Sequence, residues 1–165
     1  MSFDPRLPDE TGRRPISRDG ISVEVPKGWE SRIRRAEPGD RGGVTHPVLH
    51  AATVPLSGNR ADYGAGVVER LGDHDIFISL VEYGEEAVGS ALFPEVDKIP
   101  ILNARMFHPS QLQRRLPGQA GVQVFFTIHQ RAFCLYVVLG THARRIPLTA
   151  RSNELLRGLS VDATP

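Results

Sequence analysis

A single cysteine, Cys134, occurs in 165 residues. No disulfide can therefore form within the chain, and no cross-linked framework holds it. Charge of one sign is missing too: 20 Lys and Arg face 19 Asp and Glu, a formal net charge of +1. A dedicated nucleic-acid binder carries a strong basic excess, so no nucleic-acid partner is expected. Lysine itself is confined to Lys27 and Lys98. No apolar run approaches the ~20 residues of a membrane-spanning helix, which argues against a membrane partner. The opening stretch MSFDPRLPDETGRRPISRDG has no hydrophobic segment of the kind a secretory signal needs, so a cytoplasmic location is the expectation.

Catalytic and metal motifs are equally sparse. His46 and His50 are four apart, but Pro47 between them opposes a helix that would align them. In a strand the same spacing covers roughly 13 Å, too far for one ion. Gly89-Ser90-Ala91 lacks the flanking glycines of a nucleophile elbow. Gly64-Ala65-Gly66 matches part of a dinucleotide fingerprint, but Glu69 stands where the third glycine belongs. Cys134 sits mid-strand between apolar neighbours, a setting for a buried thiol rather than a nucleophile. No metal and no cofactor are expected, and we do not expect an enzyme.

What is abundant is strand-forming sequence. Gly121 to Gly140, GVQVFFTIHQRAFCLYVVLG, has the densest apolar content and reads as two long strands. Val122, Val124, Phe126 and Ile128 alternate along the first; Phe133, Leu135, Val137 and Leu139 alternate along the second, so each set lines one face. The two sets share a face when paired positions sum to an odd number, which calls for an even-numbered turn. A turn at Gln130-Arg131 would need positive φ at residues that dislike it. A four-residue loop, His129 to Ala132, with Ile128 opposite Phe133, is therefore expected. The other face (Gln123, Phe125, Thr127, Cys134, Tyr136, Val138) is too apolar for full exposure and needs either a covering element or a partner.

Elsewhere, residues 1–19 carry little to bury and suggest a flexible tail before a single domain spanning 20–162. Asp19-Gly20 is a turn signal, and ISVEV alternates as a strand ended by Pro26-Lys27-Gly28-Trp29, with Trp29 as a packing anchor. Val48–Val54 and Asp75–Tyr83 are further strands, and Ile99–Phe107 a weaker one. Asp62 can cap a short helix to Leu71; Glu85–Ala91 can hold a helical turn; His108–Gln119 is a loop or short helix. Leu148 to Gly158 shows helical spacing of leucines. Strands followed by covering helices give an α+β class: an antiparallel β-sheet covered by helices.

A strand ending in Val25-Pro26-Lys27-Gly28-Trp29, a late long hairpin and the terminal NELLRGLSV together resemble the PsbP-like family and its bacterial DcrB-like branch. The resemblance implies a PsbP-like α/β/α sandwich, a short last strand at Leu159-Ser160-Val161, and an accessory or chaperone-like binder without catalysis. With no catalytic constellation, a non-enzymatic protein-binding module is expected, its partner another protein or a second copy. Its candidate partner-binding residues are Phe107, Leu112, Leu116, Phe125 and Tyr136. The alternative is a small enzyme or ligand carrier with a pocket between sheet and helix.

Overall fold

The computed structural model describes residues 12–35, 45–56 and 61–163. Within them eight strands form two antiparallel sheets. The elements run β1 (Arg14–Arg18), β2 (Ile21–Val25), β3 (Glu30–Arg35), β4 (Pro47–Ala52), β5 (Ile76–Glu82), β6 (Ala120–Ile128), β7 (Arg131–Leu139), α1 (Arg145–Arg157) and β8 (Leu159–Val161). The larger sheet has the order β3-β4-β5-β7-β6 and the smaller β1-β2-β8. Among the described residues no helix is long and apolar enough to cross a membrane.

This overturns the expected α+β layout. The chain is mostly β, with one α-helix among the described residues, and neither an antiparallel β-sheet covered by helices nor a PsbP-like α/β/α sandwich forms. The reason is local. The segment from Asp62 to Leu71 contains Gly64 and Gly66 at φ +85° and +92°, left-handed values that interrupt a helix; only a 3-10 turn, Val68–Arg70, remains. Ile99–Phe107 does not pair as a strand either. The backbone N–H of Leu102 donates to Asn153 Oδ1 and its carbonyl accepts from Asn153 Nδ2, both at 2.9 Å, which ties this segment to α1.

The two long strands pair as a hairpin, and their apolar sets share a face: Val122 lies opposite Val137, Val124 opposite Leu135 and Phe126 opposite Phe133. The turn differs from the expected four-residue loop. It is the two-residue His129-Gln130, both at positive φ (49° and 63°), so Ile128 faces Arg131 rather than Phe133. Turns with both central residues at positive φ match the twist of the flanking strands, and His is among the residues that tolerate that region. The register also suits Arg131, which is buried. Its guanidinium donates to the Glu82 carboxylate, to the Asp19 carbonyl at 3.0 Å and to the Asp162 carbonyl at 3.1 Å. One side chain thus bolts the small sheet to the large one.

Asp19 and Gly20, at φ +53° and +76°, form a second hairpin of this type. It joins β1 to β2, with Ile16 opposite Val23. The expected tail over 1–19 is therefore corrected for Arg14–Arg18; residues 1–11 lie outside the described residues. The inner face of the large sheet packs against β2, β8 and α1. Leu49, Ile78, Leu135 and Val137 there meet Ile21, Val23, Leu155 and Leu159, with Trp29 in the same cluster. α1 starts three residues before the expected Leu148, with Pro147 in its first turn, where a missing N–H costs no intrahelical bond. β8 closes the small sheet against β2.

Candidate functional site

The outer face of the large sheet is covered by loops alone. Ala52, Phe77, Cys134, Tyr136 and Val138 project from it and pack beneath Leu56, Val67, Val68 and Leu112. The loop 61–72 is pinned through one backbone carbonyl. Asp62 O accepts from His50 Nε2 at 2.8 Å and from Ser79 Oγ at 2.5 Å, and His50 and Ser79 are both buried on the sheet. Donation from Nε2 fixes the Nε2–H tautomer of the ring, and burial lowers the His50 pKa to about 4. The Asp62 carboxylate meets Arg34 at 3.3 Å. Two residues on, Gly64 lies on Phe77: a Cβ there would sit 2.5 Å from the ring, so any side chain would lift the loop.

The second wall is the stretch 109–119. His108 pairs with Gly121 on the β6 edge, and its Nδ1 accepts from the Ser110 N–H at 3.0 Å to start a 3-10 turn, Pro109–Gln111. The Gln113 N–H then donates to Tyr136 Oη at 2.8 Å. Two polar contacts join the walls. At depth, Gln119 Nε2 donates to the Val68 carbonyl at 2.8 Å; at the rim, Arg114 meets Glu69 at 2.8 Å.

Between the walls lies a half-open pocket of about 420 Å³. Tyr136 and Val138 of β7 contribute from the sheet, with Ala61, Tyr63, Val68, Leu112 and Gln119 among the other lining residues. The lining is mostly apolar. The Tyr63 ring stands edge-on to Tyr136 at 5.5 Å, and its hydroxyl shares a hydrogen bond of 2.6 Å with Tyr83. Burial raises the pKa of both Tyr63 and Tyr136 and pushes the Cys134 thiol up to about 11. These groups stay protonated at neutral pH. Gln119 is 5% exposed, and its Oε1 is buried without a hydrogen-bond partner.

The five expected partner-binding residues do not form an exposed patch. Phe107 is buried in the inner core, and Leu112 and Tyr136 are buried on the outer face. Leu116 and Phe125 are half-buried against the outer-face cluster; Phe125 stacks edge-on with Phe93 at 5.4 Å. The sheet's mixed face is thus closed by the chain's own loops. Of the five, only Leu112 and Tyr136 reach the pocket. Gln119, Val68 and Ala61 escaped sequence reasoning; the Gly64-Ala65-Gly66 kink beside them was the available signal. Between sheet and helix, side chains of the inner core fill the centre, and a shallow cavity of about 350 Å³ lies at the edge between Ile128 of β6 and Leu156 of α1.

Nor do the histidines converge. His46 lies 3.8 Å from Glu82, His50 is engaged under the loop, and no three His, Cys, Asp or Glu gather as metal ligands among the described residues. No family model matches the chain, and no curated protein or solved structure matches it.

Proposed function

We propose that this chain is a non-enzymatic binding module that holds a small apolar molecule in the outer-face pocket. One observation carries the reading: two loops, tied to each other at base and rim, stop short of closing over an apolar floor. Ligand sites are typically such clefts of ~300–1,000 Å³, apolar with a few placed polar groups. The chemistry around the pocket favours holding over reacting. Cys134 is a buried, protonated thiol, and the His50 Nε2 proton is committed to a backbone carbonyl. A protein-docking role draws less support. Among the described residues, the large apolar side chains with most exposure, Leu92 (60%), Ile101 (51%) and Ile146 (71%), stand on separate segments, and scattered exposure of this kind is ordinary.

The test uses 2-dimethylamino-6-propionylnaphthalene, a neutral dye that brightens in apolar surroundings. It should bind the protein with 1:1 stoichiometry. Ala65→Trp, at an exposed position on the lining, should abolish the signal and leave the melting temperature unchanged. Equal dye binding by parent and variant would overturn the pocket as the site.

A further inference from the structure

We infer that the cleft at the edge of the inner layer binds a single-chain amphiphile with an anionic headgroup, seating its hydrocarbon on aliphatic side chains and its head on Lys98 and Arg157. This site is separate from the outer-face pocket, and the inference does not rest on the binding role proposed there.

Three parts of the chain meet around about 350 Å³: the loop 97–101, the β6-β7 turn, and the junction of α1 with β8. The loop, Asp97-Lys98-Ile99-Pro100-Ile101, supplies a wall where no strand or helix runs, so the inner layer ends there unsealed. The floor is Ile99, Ile101, Ile128, Leu156, Leu159 and Val161. The last four are buried in the inner core, and Ile99 packs against it. Ile101 continues the same surface but is 51% exposed. An apolar side chain left in water beside an apolar cleft gains the burial that a ligand supplies. No Phe, Tyr or Trp lines the cleft, so it offers branched aliphatic contacts rather than a flat wall for ring stacking. An alkyl chain suits such contacts. The volume stands near the lower end of the ~300–1,000 Å³ of ligand sites, which is room for one chain.

Charge on the lining selects the head. Lys98 and Arg157 are both exposed, and among the described residues neither side chain has a hydrogen bond or an ion pair. Asp97 is the one acid on the lining, so the cations exceed it even before the exposed His129 is counted. Long basic side chains lay their methylenes along apolar surface and keep their charge at the water boundary. That boundary is where the head of a seated amphiphile ends.

Decanoate and decyltrimethylammonium, each below its micellar concentration, pair similar chains with opposite heads. Titrated into the full 15N-labelled chain, decanoate should move the amides of Ile101, His129 and Ser160. It should bind about fivefold more tightly than the cation, the scale of exposed charge contacts. Lys98→Glu combined with Arg157→Glu should reverse the preference at an unchanged melting temperature, since neither side chain has a partner to lose. Ile101→Ser should weaken both ligands alike. Ala65→Trp, which fills the outer-face pocket, should leave the decanoate shifts in place. Equal binding of the two heads, a preference that survives the double charge reversal, or decanoate shifts confined to Tyr63, Val68 and Leu112 would each overturn the inference. So would shifts at Ile101 and Ser160 on raising the protein concentration alone, which mark a second copy as the occupant. Binding to phosphatidylglycerol vesicles with no response to monomeric decanoate would overturn it too, in favour of a membrane surface. If the double variant does not fold, the two heads compared on the parent decide alone.

Discussion

The two faces of the five-stranded sheet are closed in different ways. On the inner face, β2, β8 and α1 interlock with Leu49, Ile78, Leu135 and Val137. Regular elements present side chains at fixed spacing, so they can fill a layer to the density of a packed interior. On the outer face, loops 61–72 and 109–119 are positioned by hydrogen bonds to single atoms: Asp62 O, Tyr136 Oη and Val68 O. Such loops are held at points rather than along a surface, and the space between the points is the pocket. The lesson is that the face with poorer regular structure is the face with room for a ligand.

Adjacent residues of β7 test that contrast most severely. Val137 points inward and Val138 outward into the pocket, and both are almost completely buried. Val137→Asp places an unpaired charge in a filled layer and should cost more than about 4 kcal/mol, a large fraction of the stability of an ordinary domain. Val138→Asp places the same group beside a half-open cavity that water can enter, and should cost about 2 kcal/mol. Urea denaturation of the pair measures the difference. Equal losses would mean that the outer face is packed as tightly as the inner one.

Acid should separate the faces next. The outer loop hangs on neutral His50, whose pKa in the folded protein is lowered to about 4 from 6.5, chiefly by burial. The unfolded chain takes up this proton first as pH falls, so the unfolded state binds more protons between pH 6.5 and 4. The contribution of His50 is fully present above pH 6.5, declines through that window and is lost below pH 4. Its full size is about 3 kcal/mol. His50→Gln removes the titration. Plotted against pH, the stability difference between parent and variant should therefore slope by up to one proton within the window and flatten above it. A flat difference throughout would mean that His50 is not desolvated beneath the loop in the folded protein.

How much of this was legible in the sequence depends on which face is asked about. The inner face announced itself, because strict alternation in ISVEV, DIFISLVEY and the long hairpin needs only a period of two. β1 did not, because an edge strand with Arg14, Ser17 and Arg18 looks like a polar tail; the Asp19-Gly20 pair nonetheless demanded a strand on both sides. The His129-Gln130 turn was hidden by propensity, since Gln seldom adopts positive φ and Arg131 hardly suggests a buried strand residue. Three partners spread over the chain, Asp19, Glu82 and Asp162, make that burial tolerable, and no local pattern reveals them. The pocket was invisible for the same reason. Leu112 and Tyr136 were singled out as apolar excess, but which loops would come to cover them is a matter of long-range hydrogen bonds.

The smallest expected effect lies at the rim. Arg114 and Glu69 join the two walls over 45 positions of sequence, with the arginine side chain 65% exposed. Exposed pairs of this kind contribute about 0–1 kcal/mol because water and salt screen them and two long side chains must be ordered. Glu69→Gln should therefore leave stability within about 1 kcal/mol of the parent. Its consequence belongs to access. With the base still tied by Gln119 and Val68, losing the rim contact lets the walls part at their outer ends only, so the naphthalene dye should enter and leave faster with little change in equilibrium affinity. High salt should bring the parent's stopped-flow rates toward those of the variant and leave the variant's own rates unmoved. Rates that are the same in both proteins at low salt would show that the rim pair does not govern entry, and the contrast between a sealed inner face and a gated outer one would then reduce to the deep Gln119 tie alone.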